Sequence, residues 1–140
     1  MTIEMKPIGV VRTAEQQIPR HWTVSSAEGV LDIDPVFEPG LTDIQEGQRI
    51  VVLFHFHQSP AFTPEYLRRT PPHRSEEKGV FSICSPVRPN PIGLSVLEVL
   101  SRQGGQIQVR GIDMIHGTPI LDIKPWITGE TDCPSGEQKG

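Results

Sequence analysis

The 140-residue sequence predicts an all-β fold, a small β-barrel of about six to seven strands with one or two short helices. Three observations carry this expectation. Apolar residues come in short runs, several with the two-residue alternation that turns one face of a strand to a core. Turn residues separate the runs: 14 prolines and 13 glycines are scattered along the chain and never gather into a low-complexity tract. Helical periodicity is poor throughout. The length suits one domain around one ordinary core, read as residues 1–128, with the polar residues 129–140 as a disordered tail.

The elements follow in order. Residues 7–12 (PIGVVR) open the chain as a first strand, and residues 28–34 (EGVLDID) form a second that ends at Pro35. Residues 49–57 (RIVVLFHFH) are the most apolar run and read as a central strand. In TPEYLRR, Thr63 is placed to cap a short helix with Pro64 at its first position. Strands are expected over 79–83 (GVFSI), 94–100 (LSVLEVL) and 106–112 (QIQVRGI), the last two joined by Gly104 and Gly105 in hairpin fashion. Residues 119–126 (PILDIKPW) add a possible edge strand closed by Pro125.

Composition narrows the function classes. No apolar run approaches the roughly 20 residues of a membrane span, and the opening MTIEMKPIGVVR lacks the apolar region of a secretory signal. A cytoplasmic protein is the expectation. Cys84 and Cys133 lie far apart without metal-finger spacing, which argues against a disulfide framework. Net charge is −4, unevenly spread. Glu28, Asp32, Asp34, Glu38, Asp43 and Glu46 form an acidic stretch, whereas Arg68, Arg69, Arg74, Lys78 and Arg88 outnumber Glu76 and Glu77. An anionic partner would dock on the second stretch, unless it is only a solvated basic loop.

Residues 85–93 read SPVRPNPIG. Ser85, Arg88 and Asn90 each precede a proline and are pushed toward extended geometry. A loop so restricted presents Arg88 and Asn90 at little further ordering cost, as a binding or catalytic site requires. A rigid connector is the alternative. Gly93 would allow a sharp turn into the next strand, through a positive φ if needed.

These residues carry a family resemblance. GVFSICSPVRPNPIGLSVLEVL, followed by VRGIDMIHGTPILDIKPW, resembles the TsaA-like family that includes TrmO, the methyltransferase acting on N6-threonylcarbamoyladenosine in tRNA; the match runs from PIGVVR to DIKPW. The resemblance implies a small dimerising β-barrel that binds S-adenosyl-L-methionine through several loops, with tRNA as partner. It places cofactor contacts on Pro19, Arg20 and His21, on His57 and Gln58, on Cys84, on Leu94, and on Gly111, Ile112 and Asp113. The chain departs from the family pattern at His21, where glutamine is usual, at Cys84, where arginine is usual, and at His116, where aspartate is usual. The best-known tRNA-modifying members carry an additional C-terminal region, which this chain is expected to lack, so a small molecule or another RNA is an alternative acceptor.

Methyl transfer from a sulfonium is mainly a problem of positioning. A ureido nitrogen must also lose its proton, so a base within hydrogen-bond reach would help. Asp113 and His116 are the candidates, Asp113 matching the family better, and Arg88 and Asn90 are expected to orient substrate or cofactor. A different class of function rests on His55 and His57, which strand alternation puts on one face. With His73, Glu65 or His116 they could ligate zinc or iron in a metal-dependent barrel enzyme. A non-catalytic nucleotide-binding barrel is the third reading.

Overall fold

A computed structural model of the chain describes residues 1–72 and 74–129. His73, Cys133 and all of the expected tail beyond residue 129 lie outside the described residues. Six strands close into an antiparallel barrel: β1 (Gly9–Arg12), β2 (Glu28–Ile33), β3 (Arg49–His55), β6 (Ile92–Gln103), β7 (Gln106–Arg110) and β8 (Pro119–Pro125). Around the barrel the order is β1-β2-β7-β6-β3-β8, and β8 closes the ring against β1. Two very short strands, β4 (Arg68–Arg69) and β5 (Lys78–Gly79), form a separate ribbon on the long connection between β3 and β6.

Alternation explains the closure. Val11, Leu31, Ile33, Ile50, Val52, Phe54, Leu97, Val99, Ile107, Val109 and Ile120 point inward and form a single buried cluster with Leu41, Ile112 and Met114. Full burial of each such side chain contributes roughly 1.5–3 kcal/mol relative to exposure. Gly104, at φ +61°, and Gly105 make the expected two-residue turn between β6 and β7.

Several expected elements differ from those observed. The run 79–83 is not one strand: Gly79 ends β5, and Val80–Ser82 winds into a 3-10 turn with Val80 buried. The six-strand ring is already complete, so these residues find no free ladder to join. β8 is not an edge strand, since it pairs with β1 on one side and β3 on the other. Its prolines fall at its first and last residues, where a missing N–H interrupts the ladder least. The expected helix is a single 3-10 turn, Pro64–Leu67, with Pro64 in its first turn and no side-chain cap from Thr63, and β4 begins directly after it.

Gly93 serves packing instead of a turn. Its φ is not positive; it sits opposite Phe54 across β3 and β6. A Cβ built there would lie 2.2 Å from Cζ of the Phe54 ring, so the ring lies over bare backbone.

Antiparallel closure also decides which loops are neighbours. β1, β3 and β7 run one way and β2, β6 and β8 the other, so the β1–β2, β3–β6 and β7–β8 connections emerge at the same end. The β2–β3 loop and the β6–β7 turn emerge at the opposite end.

Gly93→Ala should therefore lower stability by about 1–3 kcal/mol through overpacking, measured by urea denaturation. A companion Phe54→Leu change should recover part of that loss. Equal stability of Gly93→Ala and the wild type would mean the ring moves aside freely.

Candidate active site

The loops at the shared end carry almost every residue that the sequence singled out. Pro19, Arg20 and His21 lie on the β1–β2 loop; His57, Gln58, Cys84, Arg88 and Asn90 on the β3–β6 connection; Gly111, Ile112, Asp113 and His116 on the β7–β8 loop. Leu94 lies near the start of β6 on the outer face of the barrel, opposite Leu53, and is 52% exposed.

Two of these loops are stitched together. The Ser25 hydroxyl donates to the Ile112 carbonyl at 2.5 Å and accepts from the Ala27 N–H at 3.1 Å. The Ala27 carbonyl in turn accepts from the N–H groups of Gly111 (2.9 Å) and Ile112 (3.1 Å). Gly111, at φ +109°, lets the chain leave β7 abruptly, so that Ile112 enters the core and Asp113 stays at the barrel mouth. His116 Nδ1 accepts from the Thr13 N–H at 3.2 Å, a second tie between the same loops that draws His116 toward a structural task.

Asp113 is the chemically distinctive residue of this end. Its side chain is half-buried, and Oδ1 accepts from the hydroxyl of Ser95 at 2.5 Å. Desolvation raises its pKa above the ordinary carboxylate value, while the Ser95 hydroxyl, the Trp22 backbone and the nearby His21 act in the opposite sense. His21 belongs to a short cap: its Nδ1 lies 2.8 Å from Thr23 Oγ1 and accepts from the Thr23 N–H, starting the 3-10 turn Trp22–Val24. With Nδ1 used as an acceptor, the neutral ring carries its proton on Nε2. The His21 and Trp22 rings lie 5.2 Å apart. A basic carboxylate, an imidazole donor and an aromatic face are thus brought together.

Other candidates are placed at this end without being drawn into that cluster. Arg88 Nη1 donates to the carbonyls of Ile83 (2.9 Å) and Ser85 (3.1 Å), so its guanidinium braces the proline-caged loop. Asn90 is exposed and its side chain makes no hydrogen bond among the described residues; its carbonyl accepts from the Ile92 N–H at 2.7 Å. Cys84 is a free, exposed thiol. No group of three or more histidine, cysteine, aspartate or glutamate side chains able to hold a metal ion occurs among the described residues, so His55 and His57 find no third ligand there.

Sequence reasoning missed Ser95, Ser25 and Trp22. Ser95 left a signal: it follows Gly93 and precedes Leu97 and Val99 on the inward face of β6, where a polar residue needs a partner. Ser25 and Trp22 left none, because their roles depend on a contact between loops distant in sequence.

The chain is similar to known proteins over most of its length. Residues 10–133 match the family described as tRNA-methyltransferase O N-terminal domain. An S-adenosyl-L-methionine-binding protein of Archaeoglobus fulgidus is 37% identical over 132 residues, 92% of each chain. A human tRNA (adenine(37)-N6)-methyltransferase is 41% identical over 97 residues, which cover 69% of this chain and 22% of that protein. The crystal structure of TrmO from Pseudomonas aeruginosa superposes with a TM-score of 0.73 at 32% identity, over 97% of this chain and 62% of the other. The chain therefore spans less than two thirds of the human and Pseudomonas proteins.

The raised pKa of Asp113 has a thermodynamic sign. A carboxyl whose folded pKa exceeds its unfolded value favours the folded state fully below the unfolded pKa, and that contribution is lost as pH rises through the folded pKa. Relative to Asp113→Asn, which cannot ionise, the wild type should lose stability as pH rises from below 3.8 toward neutrality, measured by urea denaturation at several pH values. A difference that moves the other way would make Asp113 a carboxylate stabilised by its contacts.

Proposed function

The chain belongs to the tRNA-methyltransferase O N-terminal domain family, and from that premise we propose that it is an S-adenosyl-L-methionine-dependent methyltransferase acting on the N6-threonylcarbamoyl group of a tRNA adenosine. The observation that carries this reading is Asp113, a half-buried carboxylate of raised basicity at the end of the barrel where the three loops converge.

The residues present fit the methyl donor. Arg20 has no ion pair or side-chain hydrogen bond among the described residues, and a free guanidinium suits the donor's carboxylate. Gln58 is exposed at the same end and can pair with a ribose hydroxyl, while Leu94 offers an apolar face to a purine. His21, whose Nε2 takes no part in its cap, completes the set, while the N–H groups of Gly111 and Ile112 are held by Ala27. When bound, S-adenosyl-L-methionine supplies an activated methyl group on a sulfonium.

Asp113 then takes the proton that the acceptor nitrogen gives up as its N–C bond forms and the methyl–sulfur bond breaks, leaving a neutral thioether. A carboxylate held above its usual pKa does this more readily than an exposed one. The side chain of Asn90, free and presented by a rigid loop, orients the acceptor, and Arg88 keeps that loop in shape.

A tRNA would approach from the same end. The acidic residues Asp34, Glu38, Asp43 and Glu46 lie on or beside the β2–β3 loop at the opposite end, whereas the basic stretch lies on the β3–β6 connection. Within that stretch Arg68 is paired with Glu77 at 2.7 Å and Lys78 lies 3.8 Å from Glu76. Arg69, stacked over Tyr66, and Arg74 retain their charges for phosphate. The setting for such work is the cytoplasm; among the described residues no helix is long and apolar enough to cross a membrane. Exposed Ile92, side by side with His55 on the outer face of β3 and β6, lies on the surface on which two copies would pair.

Calorimetry with S-adenosyl-L-methionine tests the reading at its base: saturable binding is expected, and no heat at millimolar donor would overturn it. Asp113→Asn should keep donor binding and lose roughly 10²–10⁴-fold in methyl transfer to threonylcarbamoylated tRNA. Donor binding by the wild type with no turnover on any RNA would favour a non-catalytic binding barrel.

For the RNA surface, replacing Arg69 and Arg74 together by alanine should weaken tRNA binding and flatten its logarithmic salt dependence by about one to one and a half units. Affinity for the methyl donor should not change. An unaltered slope would make this connection a solvated loop and favour a small-molecule acceptor.

A further inference from the structure

We propose that Ser95 is a positioning residue for this chemistry: from inside the barrel its hydroxyl holds Oδ1 of the Asp113 carboxylate and so sets the direction in which that group meets the acceptor. The inference rests on the reading of Asp113 as the proton acceptor.

Ser95 is 0% exposed and faces Val52 across the ladder, on the inner side of a strand whose other inward residues are Gly93, Leu97 and Val99. A hydroxyl in such a place costs about 1–3 kcal/mol unless it is bonded. Its one side-chain hydrogen bond among the described residues goes to Asp113, at 2.5 Å, within the range of a hydroxyl donating to an ionised carboxylate. The core therefore tolerates this polar group for the sake of a single contact at the barrel mouth.

The two partners differ in rigidity. β3 pairs with β6 from Ile92 to Glu98, so Ser95, opposite Val52 in the middle of that run, is fixed by the ladder. Asp113 follows Gly111 and Ile112 on a loop whose backbone is tied by Ala27 and Ser25, but those ties do not set the torsion of its side chain. The bond from Ser95 passes the precision of the strand to the carboxylate. From the β1–β2 loop two groups face Asp113, the titratable ring of His21 and the backbone of Trp22, which also hydrogen-bonds the carboxylate.

A latch that only fastens the loop would leave kcat on the alkaline plateau unchanged, whereas lost orientation lowers it, so turnover there is read beside the titration of Asp113 itself. Carbon-13 NMR of the side-chain carboxyl, with no substrate present, follows it in the wild type, Ser95→Ala and Ser95→Cys. The cysteine keeps the volume while donating weakly. Removal of a donor to the ionised form should raise the Asp113 midpoint by about one unit in both variants. The acid limb of kcat/KM on threonylcarbamoylated tRNA, which reports the free enzyme, should move to higher pH by the same amount. An unmoved midpoint in a folded Ser95→Cys protein, with Asp113→Asn inactive, overturns the role of Ser95 alone. Normal turnover by Asp113→Asn overturns the base reading and this proposal together, whatever the midpoint does.

Discussion

The fold depends on the closure of the ring by β8. This strand is held on one side by β1 and on the other by β3, with the register shifting between Leu53 and Phe54. Without it β1 and β3 would both be open edges and the apolar interior would face water. With it, an antiparallel ring of six strands has two dissimilar ends. One receives the β2–β3 loop and a two-residue turn; the other receives three loops, including the longest connection in the chain. Everything inferred about function follows from that asymmetry.

Charge follows the same division. The acidic loop at one end and the basic connection at the other are distant in space because β3 runs between them, from Arg49 to His55. Local ion pairs then reduce what the basic connection offers. Arg68 and Lys78 have acidic neighbours in Glu77 and Glu76, just before the second strand of the ribbon, which leaves Arg69 and Arg74 as the residues able to answer an external phosphate.

Asp113 shows where function and stability pull apart. Ile112 immediately before it and Met114 immediately after it are buried in the core, so the loop cannot turn the carboxylate freely into water. Burial opposes its ionised form, and a hydroxyl from the core, a backbone group and an imidazole partly offset that penalty. A residue chosen for stability at that site would carry no charge. The basicity that results is the property a proton acceptor needs.

The sequence by itself determined the six strands of the ring, the hairpin at Gly104 and Gly105 and the choice of loops that hold candidate residues, because alternation and turn chemistry are local properties. The RPNPIGLS and RGID segments pointed to the family and to Asp113 for the same reason: they are contiguous. Tertiary structure alone decided that β8 lies inside the ring, that residues 80–82 leave the sheet, and that Gly93 is needed for the Phe54 ring, since each depends on a partner strand far away in the chain. It also decided that Arg88 turns back on its own loop and that Ser95, 18 residues from Asp113, reaches its carboxylate. A hydrogen bond across the mouth of a closed barrel has no periodicity for a sequence to display; it exists only once the ring has brought two distant segments together.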